Sequence, residues 1–110
     1  MKNFILGDDV HSEVFEYFKS LTLSSEKRKW ALYIGIVEEK GTWIGDPYVG
    51  HIEDDIWEIR PGPHRILFFI WGDKFVATNA FRKKGKKTPE SEKRIARRVK
   101  RDWIQRHGQK

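Results

Sequence analysis

Apolar positions recur at helical spacing in two early stretches and one late one, with strand-like segments between them. Asn3 to Leu6 reads as a short strand, closed by Gly7-Asp8-Asp9. Asp9 is placed to cap a helix in which Val10, Val14, Phe18 and Leu21 fall on one face. Ser24 or Ser25 is placed to cap a second helix running to about Lys40, with Trp30, Tyr33, Ile34 and Val37 inward and Gly41 as its stop. So short a connection predicts an antiparallel helical hairpin.

After the loop Trp43 to Pro47 the period changes. Tyr48 to Glu53 and Ile56 to Arg60 read as strands around an Asp54-Asp55 turn. Pro61-Gly62-Pro63 forces another turn, because proline fixes φ and lacks an amide donor. Arg65 to Trp71 is apolar on both faces and predicts a central strand. Gly72-Asp73 marks a hairpin, and Lys74 to Phe81 is the last strand.

Thr88 is predicted to cap a final helix with Pro89 at its first position, and Glu90 and Glu92 suit the positive end of its dipole. Ile95, Ala96, Val99 and Trp103 form its apolar face, and His107 to Lys110 is expected to fray. His11 and His107 are expected on helix surfaces, and His51 in a structural or surface role. The order of elements predicts an α+β fold.

At 110 residues the chain supports one domain, residues 1–110, around one core. Fifteen aromatics (five Trp, three Tyr, seven Phe) argue against disorder away from the ends. The absence of cysteine excludes disulfides, zinc–thiolate sites and thiol catalysis, and fits a cytoplasmic location. No secretory signal or membrane-spanning run is visible, so no membrane partner is expected. No His/Asp/Glu set has metal-ligand spacing, and neither metal nor cofactor is expected.

Charge changes this picture more than composition does. Arg82 to Lys110 holds 13 Lys/Arg against three acids, whereas the first 81 residues hold 9 Lys/Arg against 13 Asp/Glu. Segregation of this kind makes a local field that attracts phosphate backbones or acidic protein segments. Its densest part, Arg82-Lys83-Lys84-Gly85-Lys86-Lys87, directly follows the last strand. The final helix adds six basic residues within nine positions, Lys93 to Arg101.

Three segments carry a family resemblance: Ile56-Trp57-Glu58-Ile59-Arg60, His64-Arg65-Ile66-Leu67-Phe68-Phe69, and Phe81-Arg82-Lys83-Lys84 leading to Thr88-Pro89. Their order and spacing, across about Tyr48 to Ala96, resemble the RelE/ParE toxin superfamily, in particular its HigB-like, phage-derived branch. The resemblance implies a small twisted sheet with a helical hairpin on one side. It also implies a toxin neutralised by an antitoxin that carries a DNA-binding, helix-turn-helix domain. Ribosome-dependent members of the superfamily cut messenger RNA in the ribosomal A site, and the ParE side poisons DNA gyrase.

RNA can be cut without a metal when its 2′-OH attacks the adjacent phosphate and the 5′-oxygen leaves. The enzyme moves two protons and stabilises charge on the phosphorane-like transition state, a task suited to preorganised cations. In the resemblance, Arg65 takes the position that contacts the scissile phosphate, Arg60 sits on the neighbouring strand, and Lys83 and Lys84 stand where a further cation is placed. A salt bridge from Arg60 to Glu58, Asp54 or Asp55 is the structural alternative. A cation within an apolar strand, such as Arg65, needs a partner or a function.

His64 is the acid/base candidate by chemistry, but adjacent strand residues point to opposite faces, so it joins Arg65 only if the strand starts late or bulges. Several active relatives carry a Tyr or His after the final strand; this chain has only Arg82 to Thr88 there. A lysine such as Lys84, or positioning on the ribosome, would then do the proton work. Lys83, Lys86, Lys87, Arg94, Arg97, Arg98 and Arg101 are the expected contacts to messenger and ribosomal RNA, and Trp103 with Ile104 a candidate antitoxin patch.

The resulting expectation is a ribosome-dependent endoribonuclease toxin, with Arg65, Arg60, Lys84 and His64 as catalytic candidates. A gyrase-poisoning toxin without nuclease chemistry and a non-catalytic RNA-binding relative are the alternatives.

Overall fold

The computed structural model describes residues 3–8 and 10–109. Five strands form one sheet: β1 (Asn3–Ile5), β2 (Val49–Glu53), β3 (Ile56–Ile59), β4 (His64–Trp71) and β5 (Lys74–Arg82). Their order is β1-β5-β4-β3-β2, antiparallel throughout except for β1, which pairs parallel to β5. Helices α1 (Glu13–Ser20) and α2 (Ser24–Lys40) cover one face, and α3 (Glu90–His107) covers part of the other. This is the expected α+β architecture.

β4 explains the layering. Ile66 and Phe68 point to the hairpin, where Val14, Leu21, Trp30 and Val37 meet them. Leu67 and Phe69 point to α3, against Ala96 and Trp103 respectively. A strand covered on both faces has no polar side to show, which is why its sequence reads as an unbroken apolar run. Each such side chain, fully buried, contributes roughly 1.5–3 kcal/mol.

A bulge in β5 sets up the site. Leu67 pairs with Asn79 and Phe68 with Ala77, leaving Thr78 as the extra residue. The alternation of β5 therefore shifts by one, and Asn79 and Phe81 join Val76 on the α3 face. Asn79 Nδ2 donates to the backbone oxygen (3.2 Å) and a carboxylate oxygen (2.9 Å) of Glu92, pinning the start of α3 to the sheet.

The chain ends differ from expectation. The first helix begins at Glu13 rather than near Val10, which lies outside it and is exposed. The predicted cap, Asp9, lies outside the described residues. Asp8 instead accepts from the amides of Val10 (3.0 Å) and His11 (2.9 Å), making a turn that delays the helix. Neither Ser24 nor Ser25 caps α2, because both lie within the helix and Leu23 takes the cap position.

Thr88 does not cap α3. Pro89 occupies that position, and the Thr88 hydroxyl donates to Glu58 Oε1 at 2.9 Å. His107 does not fray but ends the helix, its ring 3.9 Å from that of Trp103. His11 is not on a helix: it precedes α1, with Nε2 2.7 Å from Asp102 Oδ2.

Candidate nucleic-acid interface

α3 starts too late to cover the whole sheet face, and the uncovered corner is a cleft of about 210 Å³. β3 contributes Glu58, Arg60 follows directly after its last residue, β4 contributes Arg65, and β5 contributes Phe81. Residues 83–89, mostly lysine, curl around the mouth. The placement follows from strand period: Glu58 and Arg60 are two apart, so they share the α3 face. Arg65, opposite Phe81, shares that face one strand over.

Glu58 is the hub. Its side chain is only 7% exposed, and Oε2 accepts from Arg60 Nε at 3.1 Å and lies 3.9 Å from Arg65 Nε. Arg60 Nη1 also donates to Asp46 Oδ1 at 2.6 Å. Arg65 Nη1 donates to the backbone oxygens of Gly62 and His64, both at 2.7 Å. The Pro61-Gly62-Pro63 turn thus supplies a fixed acceptor for the guanidinium of the next strand. Burial holds the Arg65 guanidinium below its ordinary range; Glu58 pulls the other way and Arg60 adds to the effect. Two cations held this close in a partly dry site favour an arriving anion.

Against the single carboxylate of Glu58, the cleft sets Arg60, Arg65, Lys83, Lys84, Lys86 and Lys87. The four lysines are exposed and make no ion pair among the described residues. Outside the cleft, Arg94, Arg98 and Arg101 form an exposed stripe on α3, also without ion pairs among the described residues. Arg97 differs: it donates to Glu53 Oε2 and Glu90 Oε1, each at 2.7 Å, and these bonds raise its pKa. It braces α3 against β2 and is not a free phosphate contact.

The chain matches a family model, that of the phage-derived protein Gp49-like proteins (DUF891), over residues 16–101. The chain belongs to this Gp49-like family. It is a toxin-like family of the RelE kind, associated with toxin–antitoxin systems. No curated protein matches the chain. The matched region of this Gp49-like protein runs from Glu16 in α1 to Arg101 in α3, so it contains every residue of the cleft.

Three residues of the Gp49-like chain that were expected at functional surfaces lie outside the cleft. His64 faces the hairpin, on the opposite side of the sheet from Arg65, because β4 already has regular alternation at its first residue. It is 4% exposed, with Nδ1 2.9 Å from the Tyr17 hydroxyl and Nε2 2.7 Å from Glu26 Oε2. Both ring nitrogens are taken, so His64 ties α1 and α2 to the sheet and does not reach the cleft. Trp103 is 4% exposed and so offers no docking surface, whereas Ile104 is half-buried beside it and lines a separate recess with Ile56.

Glu58 was legible only as an ion-pair partner for Arg60. Its central place could have been read from the two-residue spacing, which puts a carboxylate beside the arginines rather than behind them. Among the described residues, no helix is long and apolar enough to cross a membrane.

Proposed function

We propose that this protein is the toxin of a toxin–antitoxin pair and cuts messenger RNA on the ribosome. The observation that carries this reading is the pair Arg60 and Arg65, held around the buried carboxylate of Glu58 in one lysine-rimmed cleft. The two arginines bind the scissile phosphate and stabilise charge as the 2′-oxygen attacks phosphorus. Glu58 takes the 2′-OH proton, and Lys84 gives a proton to the departing 5′-oxygen. The products are a 2′,3′-cyclic phosphate and a free 5′-OH. Lys83, Lys86 and Lys87 carry the RNA across the mouth, and Arg94, Arg98 and Arg101 lie along ribosomal RNA.

The work takes place in the cytoplasm, where the ribosome is. A partner antitoxin with a DNA-binding, helix-turn-helix domain neutralises the toxin. An acidic segment of that antitoxin covering the lysine rim would compete directly with RNA.

The test is cleavage of a messenger RNA by purified protein with and without 70S ribosomes, mapped by primer extension beside Arg65→Ala. Cuts that need both ribosomes and Arg65 are expected. Toxicity in cells that survives Arg65→Ala, with no cuts in either condition, would overturn the nuclease reading and direct the next assay to DNA supercoiling.

A further inference from the structure

Arg60 and Arg65 line more than the cleft. On their other side lies a second cavity of about 390 Å³, walled by Lys29 and Tyr33 from α2, the Asp46-Pro47 segment and Gly62. The two arginines therefore stand on a saddle between two recesses. The first recess is a rim of lysines. The second contains one aromatic face and one proline, with Lys29 and Asp46 as its charged groups.

Tyr33 is set for contact with a flat ligand. Tyr48 meets its ring edge-on, with centroids 5.0 Å apart and planes at 63°, which fixes the ring plane. Lys29 Nζ stands 5.8 Å from the ring centroid. The Tyr33 hydroxyl has no hydrogen-bond partner among the described residues, so nothing in the fold requires it there.

We infer that this second cavity is a nucleobase subsite, in which the base next to the phosphate held by Arg60 and Arg65 stacks on Tyr33. The inference rests on the RNA-cutting reading of the cleft and extends it. A phosphodiester on the saddle has a nucleoside on each side; the aromatic of the first recess, Phe81, packs against Ile56, Leu67 and Ala96, whereas the second recess offers the ring of Tyr33. Stacking on an aromatic ring tolerates any base, whereas Lys29 and Asp46 present a donor and an acceptor to its edge. Asp46 is held in position by its bond to Arg60, so the phosphate site and the base site share one strut.

The test uses a short single-stranded RNA made uncleavable by 2′-O-methylation, with one abasic residue walked along it. Wild-type protein should lose about tenfold in affinity when the abasic residue occupies one particular position. Tyr33→Leu should bind intact and abasic RNA alike, with the salt dependence unchanged, and Tyr33→Phe should behave as wild type. Arg65→Ala should weaken intact and abasic RNA by the same factor. A Tyr33→Leu protein that still discriminates the abasic RNA overturns the subsite and leaves the cleft reading intact. Wild-type binding that is absent or insensitive to salt overturns both. Because Tyr33→Leu could lose packing, a second measurement uses the unaltered protein: 5-bromouridine in the RNA should cross-link to Tyr33 by mass spectrometry. Cross-links confined to other residues reject the assignment.

Discussion

The Arg60 guanidinium lies directly over Gly50. A β-carbon at position 50 would come 2.2 Å from Arg60 Nη2 and 2.6 Å from Cζ. Gly50 sits on β2 opposite Glu58, so the absent side chain is what lets Arg60 fold across the sheet edge toward Glu58 and Asp46. Gly50→Ala should therefore push the guanidinium aside. The clashing atoms end a flexible side chain, so the cost in stability should be about 1 kcal/mol or less. Cleavage should fall about 10²-fold, as expected when one preorganised charge-stabilising group is displaced. Thermal melting beside ribosome-dependent cleavage checks both parts, and full activity in Gly50→Ala would remove Arg60 from the mechanism.

Glu58 holds the arginines and, in the proposed reaction, accepts the 2′-OH proton. The two roles separate in Glu58→Gln, which keeps the shape and much of the hydrogen bonding but cannot serve as a base. Single-turnover cleavage should drop about 10²-fold or more. RNA affinity should hold or rise, because a negative charge leaves a positive cleft. If affinity fell in step with cleavage, Glu58 would be a positioning residue only.

Much of this molecule was legible because its signals are local. The apolar run of β4, the proline-rich turn before it and the lysine cluster after β5 each depend on a few neighbouring residues, and strand period alone brings Arg60 and Arg65 to one face. What stayed hidden depends on contacts between distant segments. Thr88 has the chemistry of a helix cap, but Glu58, 30 residues earlier, takes its hydroxyl. His107 looked like the start of a frayed end and Trp103 like part of a docking patch, but Trp71 of β4 packs against both. The histidine beside the key arginine was chemically attractive, yet alternation alone sends it to the hairpin. Gly50 carries no signature in sequence, since it matters only for the Arg60 guanidinium that lies above it in space.

The lysines of the rim should act through counterion release rather than through specific bonds, since Lys86 and Lys87 are exposed and make no ion pair among the described residues. Each phosphate contact to a single strand adds about 0.7 to the slope of log affinity against log salt. Lys86→Ala with Lys87→Ala should flatten that slope by up to ~1.4 and leave the position of the cuts unchanged. Titration of binding at several salt concentrations measures it. An unaltered slope would place the RNA elsewhere.

The two ends of the chain are fastened by acid–base contacts remote from the cleft, and these should make stability pH-dependent without affecting RNA binding. Arg106 Nη1 donates to Asp8 Oδ2 at 2.8 Å, and the amides of Val10 and His11 donate to Asp8 Oδ1. Burial opposes ionisation of Asp8, but the His11 amide, Arg106, His107 and the Val10 amide outweigh it and hold the carboxyl well below its usual range. A folded-state pKa below the unfolded one stabilises the fold above the ordinary Asp value of about 3.9, and that contribution is lost as pH falls toward the folded value. Asp8→Ala should therefore lower stability at pH 7 by roughly 1–3 kcal/mol. The gap between variant and wild type should narrow steadily from pH 4 downward. Denaturant unfolding of both proteins across that range gives the answer, and a gap that stayed constant to the lowest pH would mean that the loop geometry, not the charge, fastens the ends.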